Sequence, residues 1–312
     1  MLKPYHILPE VSRALKEKQP VVALESTVIT HGLPYPHNLK IAEEMENIIR
    51  AESVQPATIA VLGGKIQVGV KSIDLARLSN TQGMRKISLR DFGYANVKSL
   101  SGGTTVAGTM FVAHQVGIRV FATGGIGGVH RTSLMDKSGM YDISTDLYAL
   151  ARFPVIVVCA GAKAILNLAA TLEVLETLGV PVIGYQTDEF PAFFYQSSGL
   201  KTTLRADSPQ EVVAIAEAHW SLGFQTGVLV GVPPPIDGAL KAEEVEKVIE
   251  KALLEAEDQN IRGQTVTPFL LERVNQMTAG KSLQTNLGLL RNNALVAAQI
   301  SKSSARRRWQ AV

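Results

Sequence analysis

The chain has 312 residues, a net charge of +3, 46% hydrophobic residues and 19% charged residues. This length and composition suit one large, well-cored α/β domain and exclude a disordered or fibrous chain. The small charge gives no reason to expect nucleic acid as a partner, and no uncharged apolar run reaches the roughly 18 residues of a membrane span. The lone Cys159 sits inside an apolar run, so it reads as a packed hydrophobe in a reducing compartment. Met1 to Glu10 lack the apolar core of a secretion signal. A cytoplasmic location is expected, or an organelle if a targeting segment has been removed.

Strand and helix signals alternate through the first 230 residues or so. Pro20 to Leu24 reads as a strand, and Pro36 to Ala51 as a helix with apolar Leu39, Ile41, Ala42, Met45, Ile48 and Ile49. Thr58 to Leu62 and Lys65 to Val70 flank Gly63-Gly64, a hairpin signal. A short helix, Ile73 to Leu78, and a strand, Lys86 to Ser88, follow. Thr104 to Val116 reads as a helix opening after Gly102-Gly103. Ile118 to Ala122 is a strand, as is the β-branched run Pro154 to Ala160. A helix is expected from about Lys163 to Leu178, then a strand, Pro181 to Tyr185. Ser208-Pro209-Gln210-Glu211 is a capping box with proline at the first helical position, so a helix runs to about Leu222. Thr226 to Val232 is the last strand. Beyond Pro233-Pro234-Pro235 only helices are expected: Ala239 to Glu257, Thr267 to Met277 and Ser282 to about Ser301. The pattern predicts a single α/β domain over 1–312. Its architecture is three-layer α/β/α, with a mixed, mostly parallel central sheet and extra C-terminal helices packed on it. A loosely held tail is expected from about 303 to 312, carrying Arg306-Arg307-Arg308.

Five clusters carry chemistry. Lys163 follows the Pro154 to Ala160 strand, at the carboxyl end where α/β sheets place ligands. Poor solvation there lowers an amine's pKa, and a neutral amine forms Schiff bases with sugar aldehydes. A solvated lysine in a helix's first turn is the plainer alternative. Glu25 ends the first strand in Leu24-Glu25-Ser26-Thr27, a place for a general acid or for an acid paired with a basic neighbour. Thr123-Gly124-Gly125-Ile126-Gly127-Gly128-Val129-His130-Arg131 has neither a dinucleotide nor a P-loop spacing. It reads as a backbone nest for phosphate or as an unliganded turn. Asp142 and Asp146 straddle Ser144, which could cap a following helix; if they lie near Lys163 they can hold a hard divalent cation through oxygen and water. Gly102-Gly103-Thr104-Thr105-Val106 opens a helix whose free N–H groups favour an anion or a polar base edge, and Asn286 lies early in the last helix.

In this order the segments ALESTVITHG, GGTTVAGTM, FATGGIGGVHR, DISTDL, CAGAKAIL, GYQTDEFPAFF, TVTPFLL and SLQTNLGLLRNNA resemble the pseudouridine-5′-phosphate glycosidase (indigoidine synthase A-like) family, from about Val21 to Ser301. The resemblance implies reversible cleavage of the C–C glycosidic bond of pseudouridine 5′-phosphate to uracil and ribose 5-phosphate, with Mn²⁺ and a homotrimer. It implies Lys163 as Schiff-base nucleophile, Glu25 as proton donor and Asp142 as metal ligand. Ser144, Thr145 and Asp146 would contact substrate or metal-bound water. Lys86, Thr123 and His130 would meet the phosphate, and Thr105, Val106 and Asn286 the sugar or base.

The chemistry fits that implication. A C–C bond to a base has no heteroatom leaving group to protonate. Cleavage therefore needs an electron sink at the anomeric carbon, supplied by Lys163, and a proton for uracil C5, supplied by Glu25. Asp146 would move protons on and off the lysine and water. Leu89 and Leu100 stand where bacterial members commonly carry basic residues, so they bear on phosphate affinity; the 132–140 loop is a few residues longer. The competing functions are a non-catalytic phosphosugar or nucleotide sensor and a lysine-dependent phosphosugar aldolase.

Overall fold

The computed structural model describes residues 5–131, 142–261 and 265–306. The expected 132–140 loop therefore lies outside the described residues. The strands in chain order are β1 (Tyr5–Ile7), β2 (Val21–Leu24), β3 (Gln55–Leu62), β4 (Lys65–Val68), β5 (Arg85–Ile87), β6 (Gly102–Thr104), β7 (Val120–Ala122), β8 (Val129–His130), β9 (Ile156–Cys159), β10 (Leu166–Asn167), β11 (Val182–Tyr185), β12 (Leu204–Ala206) and β13 (Val228–Gly231). All but β8 and β10 join one sheet, whose spine runs β1-β4-β3-β2-β7-β9-β13-β11-β12. From β3 to β12 every neighbouring pair on that spine is parallel. β4 and β6 run antiparallel to β3, so the sheet is mixed but mostly parallel, as expected.

The β2, β9, β11 and β13 strands are buried at every residue. That explains why they read as unbroken apolar runs rather than alternating ones: helices cover both faces of a parallel sheet. The helix Lys281–Arg306 packs on β2, β7 and β9 beside the helices His37–Ala51 and Pro209–Ser221. The helix Val106–Val116 packs on β2 and β3 beside Thr145–Leu150. Helices Ala242–Asp258 and Val266–Met277 pack on each other, and the second reaches Lys281–Arg306 and the turn Val28–Gly32. The last helix runs to Arg306 with Ser304 buried, so residues 303–306 belong to it rather than to a tail.

Two expected helices start later than the pattern suggested. Thr104 closes β6, and Thr105 is the cap of a helix that begins at Val106. Gly102 and Gly103 pair with β3 and β5 as part of β6, and that strand requires glycine because a Cβ at the first would collide with Arg85 O and at the second with Ser26 O. Near Lys163, Gly161 turns left-handed (φ 82°) and the Lys163 N–H donates to Ile126 O at 3.1 Å. β10 then pairs with β8, and Asn167 caps a helix that starts only at Leu168. Lys163 therefore sits in a loop stapled to the glycine-rich segment, not in a helix.

Elements too short or too polar for a periodic signal were not anticipated: β1, the helix Pro9–Lys16, β12, and the turn-and-helix stretch Leu89–Asp91 and Phe92–Val97.

Gly161→Ala is expected to lower the urea-unfolding midpoint. The left-handed conformation alone costs an alanine about 1–2 kcal/mol, and its Cβ would also strike Pro191 O. An unchanged midpoint would show that the loop relaxes freely around residue 161.

Candidate active site

Three neighbouring strands end together. β2, β7 and β9 are parallel and in register, with Leu24 opposite Ala122 and Ala122 opposite Val158. Glu25 and Thr123 are the first residues beyond β2 and β7, and Lys163 follows β9 by four residues. Glu25 and Lys163 both line a cavity of about 440 Å³, as does every other expected site residue except Thr123. Thr123 is fully buried behind the wall and donates a short hydrogen bond to Glu25 Oε1. It supports the acid, and the expected direct contact with a phosphate does not fit that placement.

Glu25 Oε2 lies 2.7 Å from Thr27 Oγ1, which in turn lies 2.5 Å from Thr104 O. Lys163 is half-buried, and its amine makes no salt bridge among the described residues. Lys86 shares the cavity. Burial pushes its pKa down, the nearby Lys163 charge adds to this, and Asp146, Glu25 and Asp142 oppose it. His31 and His130 also line the cavity, and burial lowers the pKa of each, with Lys86 acting in the same direction. Leu89 and Leu100 pack against the core, whereas Arg90 between them in sequence lines the cavity. The positive end of the site is thus built by Lys86 and Arg90, with the two histidines beside them as hydrogen-bonding groups, and the two leucines do not line it.

The glycine-rich segment spends part of its N–H groups on the fold, and its Gly124, Gly125 and Gly127 line the cavity. Its Ile126, Gly127, Val129 and His130 N–H groups donate to Gly161 O, Asp146 Oδ2, Thr171 Oγ1 and Asp142 O. The glycines are needed for close packing: a Cβ at Gly127 would strike Ser144 Oγ, at Gly128 the Thr171 side chain, and at Gly125 the Phe193 ring. Phe193 itself lines the cavity from a left-handed backbone (φ 64°), a costly conformation for a bulky residue.

The two aspartates divide their work. Asp146 is buried and clamps two segments, accepting from Ala107 N at 2.9 Å and Gly127 N at 2.8 Å. The first of these satisfies an orphan donor at the amino terminus of the helix Val106–Val116. Ser144 caps the helix Thr145–Leu150, as its spacing suggested. Asp142 is exposed, and its Oδ2 lies 4.0 Å from His130 Nε2. No group of three or more His, Cys, Asp or Glu that could hold a metal occurs among the described residues. The donor set fits a hard cation held through one carboxylate and its own waters, as Mg²⁺ or Mn²⁺ accepts beside a phosphate.

Arg131 locks the lysine loop. It donates to Ala164 O at 2.8 Å and Leu166 O at 3.1 Å, on the helix side of Lys163, and forms a bidentate pair with Glu246 at 2.6 and 3.0 Å. Tyr195 also donates to Glu246, at 2.7 Å. Burial alone would raise the Glu246 pKa, but the bonds from Arg131 and Tyr195 outweigh it and hold the carboxyl below its usual range. Thr27, His31, Arg90 and Phe193 were missed as site residues. Thr27, His31 and Phe193 lie inside motifs singled out from sequence, but only the fold shows that they reach the cavity.

The family model of "Indigoidine synthase A like protein" matches residues 10–303. A pseudouridine-5′-phosphate glycosidase of Geobacillus kaustophilus is 50% identical over 293 residues, covering 94% of this chain and 96% of that one. An indigoidine synthase A-like protein of Thermotoga maritima superposes with a TM-score of 0.87 at 33% identity, covering 97% of each chain. The prealnumycin C-glycosynthase AlnA, solved in complex with ribulose 5-phosphate, superposes at 0.88 with 36% identity and the same coverage. The chain belongs to the indigoidine synthase A-like family.

Proposed function

We propose that this chain is a pseudouridine-5′-phosphate glycosidase, a lyase-type enzyme that reversibly splits the C–C glycosidic bond of pseudouridine 5′-phosphate into uracil and ribose 5-phosphate. The observation that carries the reading is the convergence of an unpaired lysine, Lys163, and an acid, Glu25, on one cavity that also holds Lys86 and His130. Relatives of about 50% identity bear that name, and a solved relative binds a pentulose phosphate.

The steps follow from the chemistry of the two groups. The neutral Lys163 amine attacks C1′; the N–C1′ bond forms as C1′–O4′ breaks, the nitrogen gives up a proton through Asp146, and O4′ takes one up. The nitrogen lone pair then becomes the C=N bond of an iminium as C1′–C5 breaks and Glu25 delivers a proton to uracil C5. Water adds to the iminium, and loss of the amine releases ribose 5-phosphate. Lys86, Arg90 and His130 line the same cavity and offer donors to the phosphate. Thr105, Val106, Thr145 and Asn286 line the remaining wall and would meet sugar or base. Asp142 would hold Mn²⁺, which supplies positive charge beside the phosphosugar when bound. A homotrimer, and a cytoplasmic setting that suits the buried free Cys159, complete the proposal. No helix among the described residues is long and apolar enough to cross a membrane.

With Mn²⁺, the purified chain is expected to release uracil from pseudouridine 5′-phosphate, and Lys163→Ala is not. Borohydride with ribose 5-phosphate should leave a covalent adduct on Lys163 by mass spectrometry; uracil release without a trappable adduct would exclude the Schiff base. Chelation should slow release and added Mn²⁺ restore it.

Arg131→Met is expected to lower kcat about ten- to a hundredfold by loosening the Lys163 loop, as small misplacements of a reacting group do. KM should move little. A variant with full kcat would show that the carbonyl contacts at Ala164 and Leu166 are dispensable.

A further inference from the structure

Thr27 carries one hydroxyl proton and faces two acceptors. Its Oγ1 is 2.5 Å from Thr104 O and 2.7 Å from Glu25 Oε2. A backbone carbonyl only accepts, so if Glu25 is a carboxylate one of these short O···O contacts has no proton in it. If Glu25 is the acid, both contacts are satisfied: Oε2–H donates to Thr27 Oγ1, and Thr27 donates to Thr104 O. Thr123 meanwhile donates to Oε1 in either case.

Thr104 cannot move aside to relieve the mismatch. Its N–H accepts no freedom of position, being bonded to Ser26 Oγ at 2.9 Å, and its hydroxyl donates to Ile59 O at 2.8 Å beside Thr109 Oγ1. Ser26 itself is tied to Ile59 O at 2.6 Å. Thr27 is buried apart from the edge that lines the cavity.

We propose that the Thr27 hydroxyl is a two-position proton partner of Glu25. It holds the acid form before C–C cleavage by accepting from Oε2–H while donating to Thr104 O. It then rotates to donate to the new carboxylate once that proton has gone to uracil C5. No proton is gained or lost by Thr27; only its O–H bond turns. Thr27 is thus a positioning residue that partners the general acid in both protonation states, giving up its bond to Thr104 O while Glu25 is a carboxylate, in cleavage and in synthesis alike. The inference rests on the glycosidase reading above and assigns a residue which that reading leaves idle.

The test compares Thr27→Val, which keeps the branched shape without the hydroxyl, with Thr27→Ser, which keeps the hydroxyl. Two readouts are taken from each with Mn²⁺: uracil release from pseudouridine 5′-phosphate, and borohydride-trapped adduct from ribose 5-phosphate. Adduct formation does not use the proton on uracil C5. The expected result for Thr27→Val is a kcat lower by roughly tenfold or more, with KM within about twofold and trapping retained. Thr27→Ser should keep most of the kcat. A valine variant with unchanged kcat overturns the proposal, and so does one that loses trapping and release together, since that marks a structural role. If valine prevents folding, Thr27→Ala takes its place, and an alanine variant as active as the serine variant overturns the proposal. Absence of uracil release by the unmodified chain sinks the glycosidase reading, and this inference with it.

Discussion

The parallel register of β2, β7 and β9 is the constraint on which the site depends. Each strand is buried, and β-branched side chains pack both faces of the sheet, so no strand can slip without exposing its core residues. Because the three are in step, whatever follows each one emerges at the same rim. Glu25, Thr123 and Lys163 are brought together from positions up to 138 residues apart by backbone pairing alone, which needs no contact between the side chains themselves. This is the usual reason that α/β sheets bind ligands at the carboxyl ends of their strands.

A second layer of contacts turns that rim into a fixed geometry. Asp146 ties the glycine-rich segment to the helix Val106–Val116, Asn293 from the last helix holds Thr123 O at 2.8 Å, and Arg131 fastens the loop after Lys163 to Glu246. The result places two lysines in one cavity, which is unfavourable for the empty protein: the charge of Lys163 lowers the pKa of its neighbour Lys86. Burial is the larger cause of that lowering, and perturbed groups of this kind cluster where chemistry occurs.

Much of this was legible in the sequence because apolar runs mark buried strands and the chemical residues stand next to them. Glu25 and Lys163 were found from the strands that precede them, and Ser144 from its spacing to Asp146. The failures have physical reasons. The segment Gly124 to Gly128 reads as a phosphate nest or as an unliganded turn because glycine permits both an inward N–H and a close backbone approach, and sequence does not say which; the fold spends the Ile126 and Gly127 N–H groups on Gly161 O and Asp146, while Gly124 and Gly125 line the cavity. Lys163 was placed at a helix start because Ala164-Ile165-Leu166 is helix-compatible, but pairing of β10 with β8 overrides that local preference. Thr123 was assigned to a ligand because a threonine at a strand end is indistinguishable, in sequence, from one that faces back into the protein.

Asp146 shows why position in a motif and role in a reaction differ. Both its oxygens accept backbone N–H groups from separate segments, so its first effect is mechanical: it sets the distance between the glycine-rich segment and the helix that Thr105 caps. Each oxygen keeps a lone pair, so proton transfer with Lys163 and water stays compatible with this clamp. Replacing Asp146 would remove the clamp whatever else it does, so a loss of turnover alone would not assign it a part in proton transfer. Asp142 is the converse case: it is exposed, and among the described residues it is bound to the fold mainly through its backbone carbonyl, so its carboxylate does not hold the rim together there. The two acids of one short motif thus answer to different demands, one to the architecture of the rim and the other to what enters it.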